Sequence, residues 1–255
     1  MTELYNKSLF ENKELWDNYD KGGEIKKKLP FIFSKIPYDV QSILDVGCGN
    51  GEITNNFPEK YEVTGVDNSK EALEFVTKEK ILCSADSIKV EDRSYDMVFS
   101  SELIEHLPSD IMRGSMMEFK RIARKYLFIS VPNDEQLEKC LVFCPNCKTK
   151  FHAYGHLHAF TPKYLKELVG DDFVLIWHDT LGKKVKRYND LLLKLRHRIA
   201  KIYFAPNEYT VCPNCNHKSF DPIKGNMLSK LFNGLNLIIP KKAKKYWLMV
   251  LFERK

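Results

Sequence analysis

Apolar residues along the chain fall into two kinds of run. Short blocks rich in β-branched and aromatic residues read as buried strands: SILDVG (42–47), YEVTGVD (61–67), KEKILCS (78–84), SYDMVFSS (94–101) and KYLFISVP (125–132). Between them lie helix-like stretches, GEITNNF (51–57), SKEALEFVTK (69–78) and SDIMRGSMMEFKRIARK (109–125). Ser69 and Ser109 stand where N-caps are expected, with acidic residues following in the first turn. Further on, TPKYLKELVG (161–170) reads as a capped helix, and DDFVLIWHD (171–179) and KYWLMVLFERK (245–255) as two more strands. Strands alternating with helices predict an α/β fold, a mostly parallel sheet covered on both faces.

The first forty residues are helical but poorly periodic. Trp16, Tyr19, Ile25, Leu29, Phe31, Ile32 and Phe33 can pack as a helical cap over 1–40. Hydrophobic residues make up 44% and charged residues 29%, as in soluble globular proteins. No apolar run reaches the roughly 20 residues that span a bilayer. The start, MTELYNKSLFENKELWDNYD, is polar and acidic, unlike a secretory signal. A cytoplasmic location is therefore expected, where paired cysteines serve metals more readily than disulfides. The net charge of +6 is unevenly spread: residues 183–255 hold 17 Lys+Arg against 4 Asp+Glu, leaving the rest acidic.

ILDVGCGNG carries the most chemistry. A strand runs into Gly47, Gly49 and Gly51, which permit a tight turn and close approach of backbone to ligand. The spacing is G-x-G-x-G, and Asp67 follows Asp45 by 22 residues, at the end of the second strand, where an acid can bind both ribose hydroxyls. Together, DVGCGNG and TGVDNS resemble the class I S-adenosylmethionine (SAM) methyltransferases. SADSIKVEDRSYDMVFSSELIEHLP (84–108), FISVPN (128–133) and HAFTPKYLKELV (158–169) extend the likeness.

The resemblance implies a Rossmann-like, doubly wound sheet of seven strands, the last antiparallel, formed by 41–132, 158–182 and 245–255. It implies that Asp45, Gly47, Gly49 and Gly51 line the methionine end of SAM, Asp67 binds the ribose and Asn68 flanks the adenine. Ser84, Ala85 and Asp86 would meet the adenine edge, although the family often has an acid where Ser84 stands. Ser101, Glu102 and His106 would lie near the methyl group.

CPNC occurs twice, at 144–147 and 212–215. A C-x₂-C turn points two thiolates at one ion, and two such turns complete a tetrahedron. Cys144, Cys147, Cys212 and Cys215 therefore predict one structural zinc. It would staple two insertions, 133–157 and 183–244, into a small zinc-ribbon-like subdomain. Cys140, Cys144 and Cys147 also spell the C-x₃-C-x₂-C of radical-SAM enzymes, a reading that leaves the second CPNC unexplained.

Three histidines, His152, His156 and His158, precede the helix at 161–170. His106 is the first choice as general base for an oxygen nucleophile, then His156 or His158. Glu102, Glu105, His106 and His156 or His158 also resemble the donor set of the metal-dependent Hen-type RNA 2′-O-methyltransferases. YNDLLLKLRHRIAKIYF (188–204) has Leu191, Leu192, Leu195, Ile199 and Ile202 at helical spacing with basic residues between, a basic amphipathic helix. MLSKLFNGLNLIIPKKAKK (227–245) repeats the theme. The segment 183–245 suits a sheet cover, an anionic membrane surface, which would make the protein membrane-peripheral, or RNA. The reading that results is a SAM-dependent methyltransferase acting on a small-molecule or glycan hydroxyl. An RNA methyltransferase and a non-catalytic SAM binder are the alternatives.

Overall fold

The structure is a computed structural model that describes Tyr5, residues 7–10, Glu14, Trp16 and residues 23–206, 209–221 and 223–255. Tyr19, part of the expected cap, lies outside the described residues. In chain order the elements are α1 (Lys7–Phe10), α2 (Glu24–Phe33), β1 (Ser42–Val46), β2 (Glu62–Asp67), α3 (Lys70–Leu73), β3 (Glu79–Leu82), β4 (Tyr95–Ser101), α4 (Ser109–Ile122) and β5 (Ala123–Pro132). Then come β6 (Leu141–Phe143), β7 (Lys150–His152), α5 (Pro162–Val169), β8 (Phe173–Arg187), α6 (Asp190–Arg198), α7 (Met227–Ile238) and β9 (Lys241–Arg254).

Seven strands form one sheet in the order β3-β2-β1-β4-β5-β9-β8. The first five run parallel, and β9 is antiparallel to both neighbours. Alternating side chains feed two cores. Leu44, Val98 and Leu127 pack under Met112, Met116 and Phe119 of α4 and Leu165 and Val169 of α5. Ile43, Met97, Phe99 and Phe128 face Leu29 and Ile32 of α2. The chain reverses its order along the sheet between β1 and β4, and a crevice opens outside the carboxyl ends of strands at such a switch point.

The local forecasts needed four corrections. GEITNNF is only a 3₁₀ turn at Thr54–Asn56, because its polar side chains take other partners. Thr54 donates to Asp45 and Asn55 to the Phe75 carbonyl. Ser69 does cap its helix by accepting from the Ala72 amide at 3.1 Å, but that helix stops at Leu73. Lys80 Nζ satisfies the freed carbonyls of Leu73 and Val76. Ser109 lies inside the first turn of α4, and Pro108 holds the cap position. The helix expected over 188–204 ends at Arg198, shortly before Lys201, whose φ of 54° is left-handed.

Strands β8 and β9 outrun the sheet. They pair with each other from Phe173–Arg254 to Arg187–Lys241, so 183–187 and 241–244 continue strands rather than begin the insertion. Beyond this ribbon, α7 packs on α6 through Phe232 against Leu192 and Ala200.

Candidate active site and metal centre

A cleft of about 310 Å³ opens at the carboxyl ends of β1, β2 and β4. At its floor, Asp45 is buried and accepts from Thr54 Oγ1 at 2.6 Å. Burial, reinforced by the nearby Asp67 carboxylate, pushes Asp45 up to about 7. Gly47 turns with φ 76°, and a Cβ there would fall 2.8 Å from the Leu103 side chain. A Cβ at Gly49, φ 53°, would fall 3.0 Å from the Trp16 ring. The glycines therefore serve both backbone conformation and close packing.

Asp67 ends β2 inside the cleft. Its Oδ2 accepts from the Gly49 amide at 2.8 Å and its Oδ1 from the Ser69 amide at 2.9 Å. Burial raises its pKa against those hydrogen bonds. Asn68, Ser84, Ala85, Ser101, Glu102 and His106 also line the cleft. Two expected ligand residues stand outside the lining. Gly51 faces the Asn55 side chain. Asp86 accepts from the Ser84 hydroxyl and packs on Gly114, so it acts through Ser84 at most.

Lys28 of α2 was not foreseen. It is fully buried, lines the cleft, and places its Nζ 3.0 Å from Ser101 Oγ and 3.7 Å from Glu102 Oε1. Its ammonium also lies 4.8 Å from the centre of the Trp247 ring. Nothing in the run KKKLP separates it from its neighbours except helical phase: Lys28, Leu29 and Ile32 form the inward face. Glu102 is held at φ 56°, a strained conformation for a residue with a Cβ, while its amide donates to the Ser130 carbonyl. Phe10 and Trp16 close the cleft from the N-terminal segment, where Phe10 meets the His106 ring edge-on.

Behind His106 sits a chain of buried titratable groups. Glu105 is completely buried, and neither carboxylate oxygen has a hydrogen-bond partner among the described residues. Burial, then the charge of Glu102, raises its pKa well above the usual carboxylate range. His106 Nδ1 is likewise buried without a partner among the described residues, and burial beside His156 holds its pKa well below the ordinary imidazole value. The His156 ring lies 4.7 Å from that of His106, and its Nδ1 is hydrogen-bonded to Glu135 Oε2. Glu135 thereby fixes the orientation of the His156 ring. Burial opposes ionisation of Glu135, yet His152 and His156 together keep it far below the usual range.

Donor atoms of Glu105, His106 and His156 all lie within 4.8 Å of one another. His156 is thus part of the site without lining the cleft. His158 is not brought to the cleft: its Nε2 meets the Leu107 carbonyl at 2.9 Å, tying two loops together. Glu135 carried no sequence signal, being one acid among several after β5.

Sixty-five residues of chain separate Cys147 from Cys212, yet their sulfurs lie 3.5 Å apart. Cys144 and Cys215 sulfurs lie 3.7 Å apart. All four fall within 4.8 Å of one another, close to the roughly 3.8 Å edge of a tetrahedron with 2.3 Å zinc–sulfur bonds. The two turns repeat each other. Cys144 and Cys212 donate to the carbonyls of Thr149 and His217, and receive from the amides of Lys148 and Asn216. Lys148 and Asn216 both have positive φ. Cys140 stands apart, beside Glu135 and His152, which removes the C-x₃-C-x₂-C reading.

The family model of a methyltransferase domain matches residues 43–125. Pavine N-methyltransferase of Thalictrum flavum subsp. glaucum is 40% identical over 81 residues, 27% of this chain and 23% of that protein. The chain therefore spans about a quarter of that relative. Ubiquinone biosynthesis O-methyltransferase of Hydrogenovibrio crunogenus is 24% identical over 188 residues, 62% of this chain and 78% of the other. Among solved structures, a SAM-dependent methyltransferase from Archaeoglobus fulgidus aligns with a TM-score of 0.52 at 15% identity, covering 95% of each chain. The N-methyltransferase NodS of Bradyrhizobium japonicum, in complex with S-adenosyl-L-homocysteine, aligns at 0.53 and 12% identity over 98% of each. The sheet is the fold these proteins share, and the matched domain contains the glycine turn, Asp67 and His106.

Proposed function

We propose that the chain is a SAM-dependent methyltransferase whose acceptor is a hydroxyl of a small molecule or glycan. The observation that supports this most is the presence in one cleft of the glycine turn, Asp45 and Asp67 together with Lys28, Ser101 and His106. SAM would lie with its ribose on Asp67, its adenine by Asn68, Ser84 and Ala85, and its methionine end over Asp45 and the glycines. The sulfonium is already activated, so the protein's work is to align acceptor, methyl and sulfur and to exclude water. Lys28 supplies a buried positive charge that stabilises an acceptor oxygen as it loses its proton. His106, neutral in its buried setting, is the nearest base to receive that proton, and His156 stands behind it.

The four-thiolate group fits a structural zinc, which would tie the β6–β7 hairpin to the loop at 212–215 and has no open position for catalysis. A second reading of the acceptor side is favoured by Glu105. A buried carboxylate without hydrogen bonds, facing two imidazoles, suits a divalent cation, which would polarise the acceptor oxygen.

The test is methyl transfer from radiolabelled SAM into an extract of source cells lacking the gene, with products split into RNA, protein, glycan, lipid and small-molecule pools. Label in the glycan, lipid or small-molecule pool supports the reading. Label in RNA replaces it with an RNA methyltransferase, and absence of label in every pool favours a SAM binder without catalysis. Loss of turnover on treatment with a chelator that leaves the thiolate-bound metal in place would favour the metal-assisted variant.

A further inference from the structure

The helix α7 turns an aliphatic face away from the protein. Met227, Leu228, Leu231, Leu235, Leu237 and Ile238 are between 39% and 87% exposed. On a helical wheel, 227, 228, 231, 235 and 238 share an arc of about 100°, and the buried Ser229 and Phe232 lie to one side of it. The face is rigidly presented. Tyr188 donates to Asn233 at 2.9 Å, the Asn189 amide donates to Asn236 at 2.7 Å, and Asn226 caps the helix. Lysines dominate the sequence around it: between positions 222 and 252 there are six lysines and no Asp or Glu, and although Lys241 pairs with Asp190 and Lys244 with Asp134, the exposed Lys230 and Lys242 add to the positive side. On the neighbouring α6, Leu191 and Ile199 are also exposed, next to Lys194 and Arg198.

We propose that α7 is a docking helix for an anionic phospholipid bilayer, lying in the interface with its leucines among the acyl chains and its lysines at the headgroups. The inference does not depend on the methyltransferase reading. An apolar face flanked by lysines is what anionic interfaces bind. RNA fits less well, because exposed aliphatic side chains offer bases no stacking platform. A second copy fits less well too, since face-to-face pairing would bring two lysine-rich rims together.

The experiment is co-sedimentation of the purified full chain with vesicles of 70% phosphatidylcholine and 30% phosphatidylglycerol, and with phosphatidylcholine alone. Binding is expected only to the anionic vesicles. Leu231→Glu/Leu235→Glu should weaken it at least about tenfold, and Lys230→Glu/Lys242→Glu similarly, with SAM affinity and circular dichroism unchanged. These positions are exposed, so folding is not at stake. Absence of binding to anionic vesicles overturns the proposal, as does binding that the leucine variant retains. Light scattering that shows a dimer dissociated by Leu231→Glu/Leu235→Glu, or RNA binding lost in that variant, assigns the face to another occupant and overturns it as well.

Discussion

Lys28 Nζ lies 3.0 Å from Ser101 Oγ, although 73 positions of sequence separate them. The contact joins the N-terminal helix α2 to the end of β4 and fixes a positive charge inside the cleft. SAM carries a carboxylate at its methionine end as well as its sulfonium, so the buried ammonium can face either that carboxylate or an anionic oxygen of the acceptor, and the proposed function assigns it to the acceptor. Lys28→Met is therefore expected to lower kcat/KM for the acceptor by about 10–100-fold, the loss of a charge-assisted hydrogen bond. The SAM dissociation constant should stay the same or fall. Steady-state kinetics with both substrates varied would separate the two, and a variant weakened mainly toward SAM would argue against this role.

His106 lines the cleft with Ser101 and Glu102, and the proposed function makes it the group that takes the acceptor's proton. His106→Ala should reduce kcat by about 10²–10⁴ while SAM binding is kept. His158→Ala should act on stability instead, since that ring ties to the Leu107 carbonyl. Wild-type turnover in both variants would rule out a histidine base. Glu135→Gln adds a finer check. It retains the volume but loses the charge that orients the His156 ring behind His106, so the pH–rate profile should change shape even where the fold does not.

On the proposed placement of SAM, Asp45 should link cofactor binding to pH. In the free protein its pKa is pushed up to about 7, well above the ordinary carboxylate value, because burial disfavours the charged form. A cationic ligand end placed over it favours ionisation, so binding releases a proton. Affinity for SAM should therefore rise as pH increases through about 7 and level off above. The same shift has the opposite sign for stability of the free protein. The folded state holds the proton more tightly than the unfolded one, so the contribution of Asp45 to stability is fully present below the unfolded value near 4 and is lost as pH rises through about 7. Calorimetry in buffers of different ionisation enthalpy would measure the proton release. Asp45→Asn should abolish it, and an unchanged pH dependence in that variant would refute the assignment.

The sheet was legible because its central strands β1, β4 and β5 are buried on both faces and stand out as apolar blocks. The glycine turn and Asp67 were legible because their chemistry is local, a turn and the end of the next strand. Lys28 and Glu135 were not. Each looks like a surface residue until tertiary packing turns it inward, and one sequence gives no helical phase strong enough to single out the third lysine of KKK. Asp86 illustrates the reverse. Its position after β3 matched the motif, but a hydrogen bond to Ser84 and contact with Gly114 hold it off the cleft. The long β8–β9 ribbon was hidden because lysines at an exposed strand end resemble a loop.

Cys147 and Cys212 meet at 3.5 Å from two segments far apart in sequence, and the small core around them is thin: Val142, Phe151 and Ala153 beside the buried Cys144 and Cys212. A cluster of that size cannot offset the ordering of both loops without a further tie. Metal analysis of the purified chain should find one zinc bound to the four thiolates, and Cys144→Ser/Cys212→Ser should release it. Proteolysis would then cut within 141–152 or 209–221 first, while the methyltransferase-like sheet keeps its SAM affinity, since none of the four cysteines lines the cleft. Iron in place of zinc would overturn the structural role, because a redox-active cluster needs a partner for its electrons. A double variant that resists protease as well as the parent would show that packing alone holds the subdomain together.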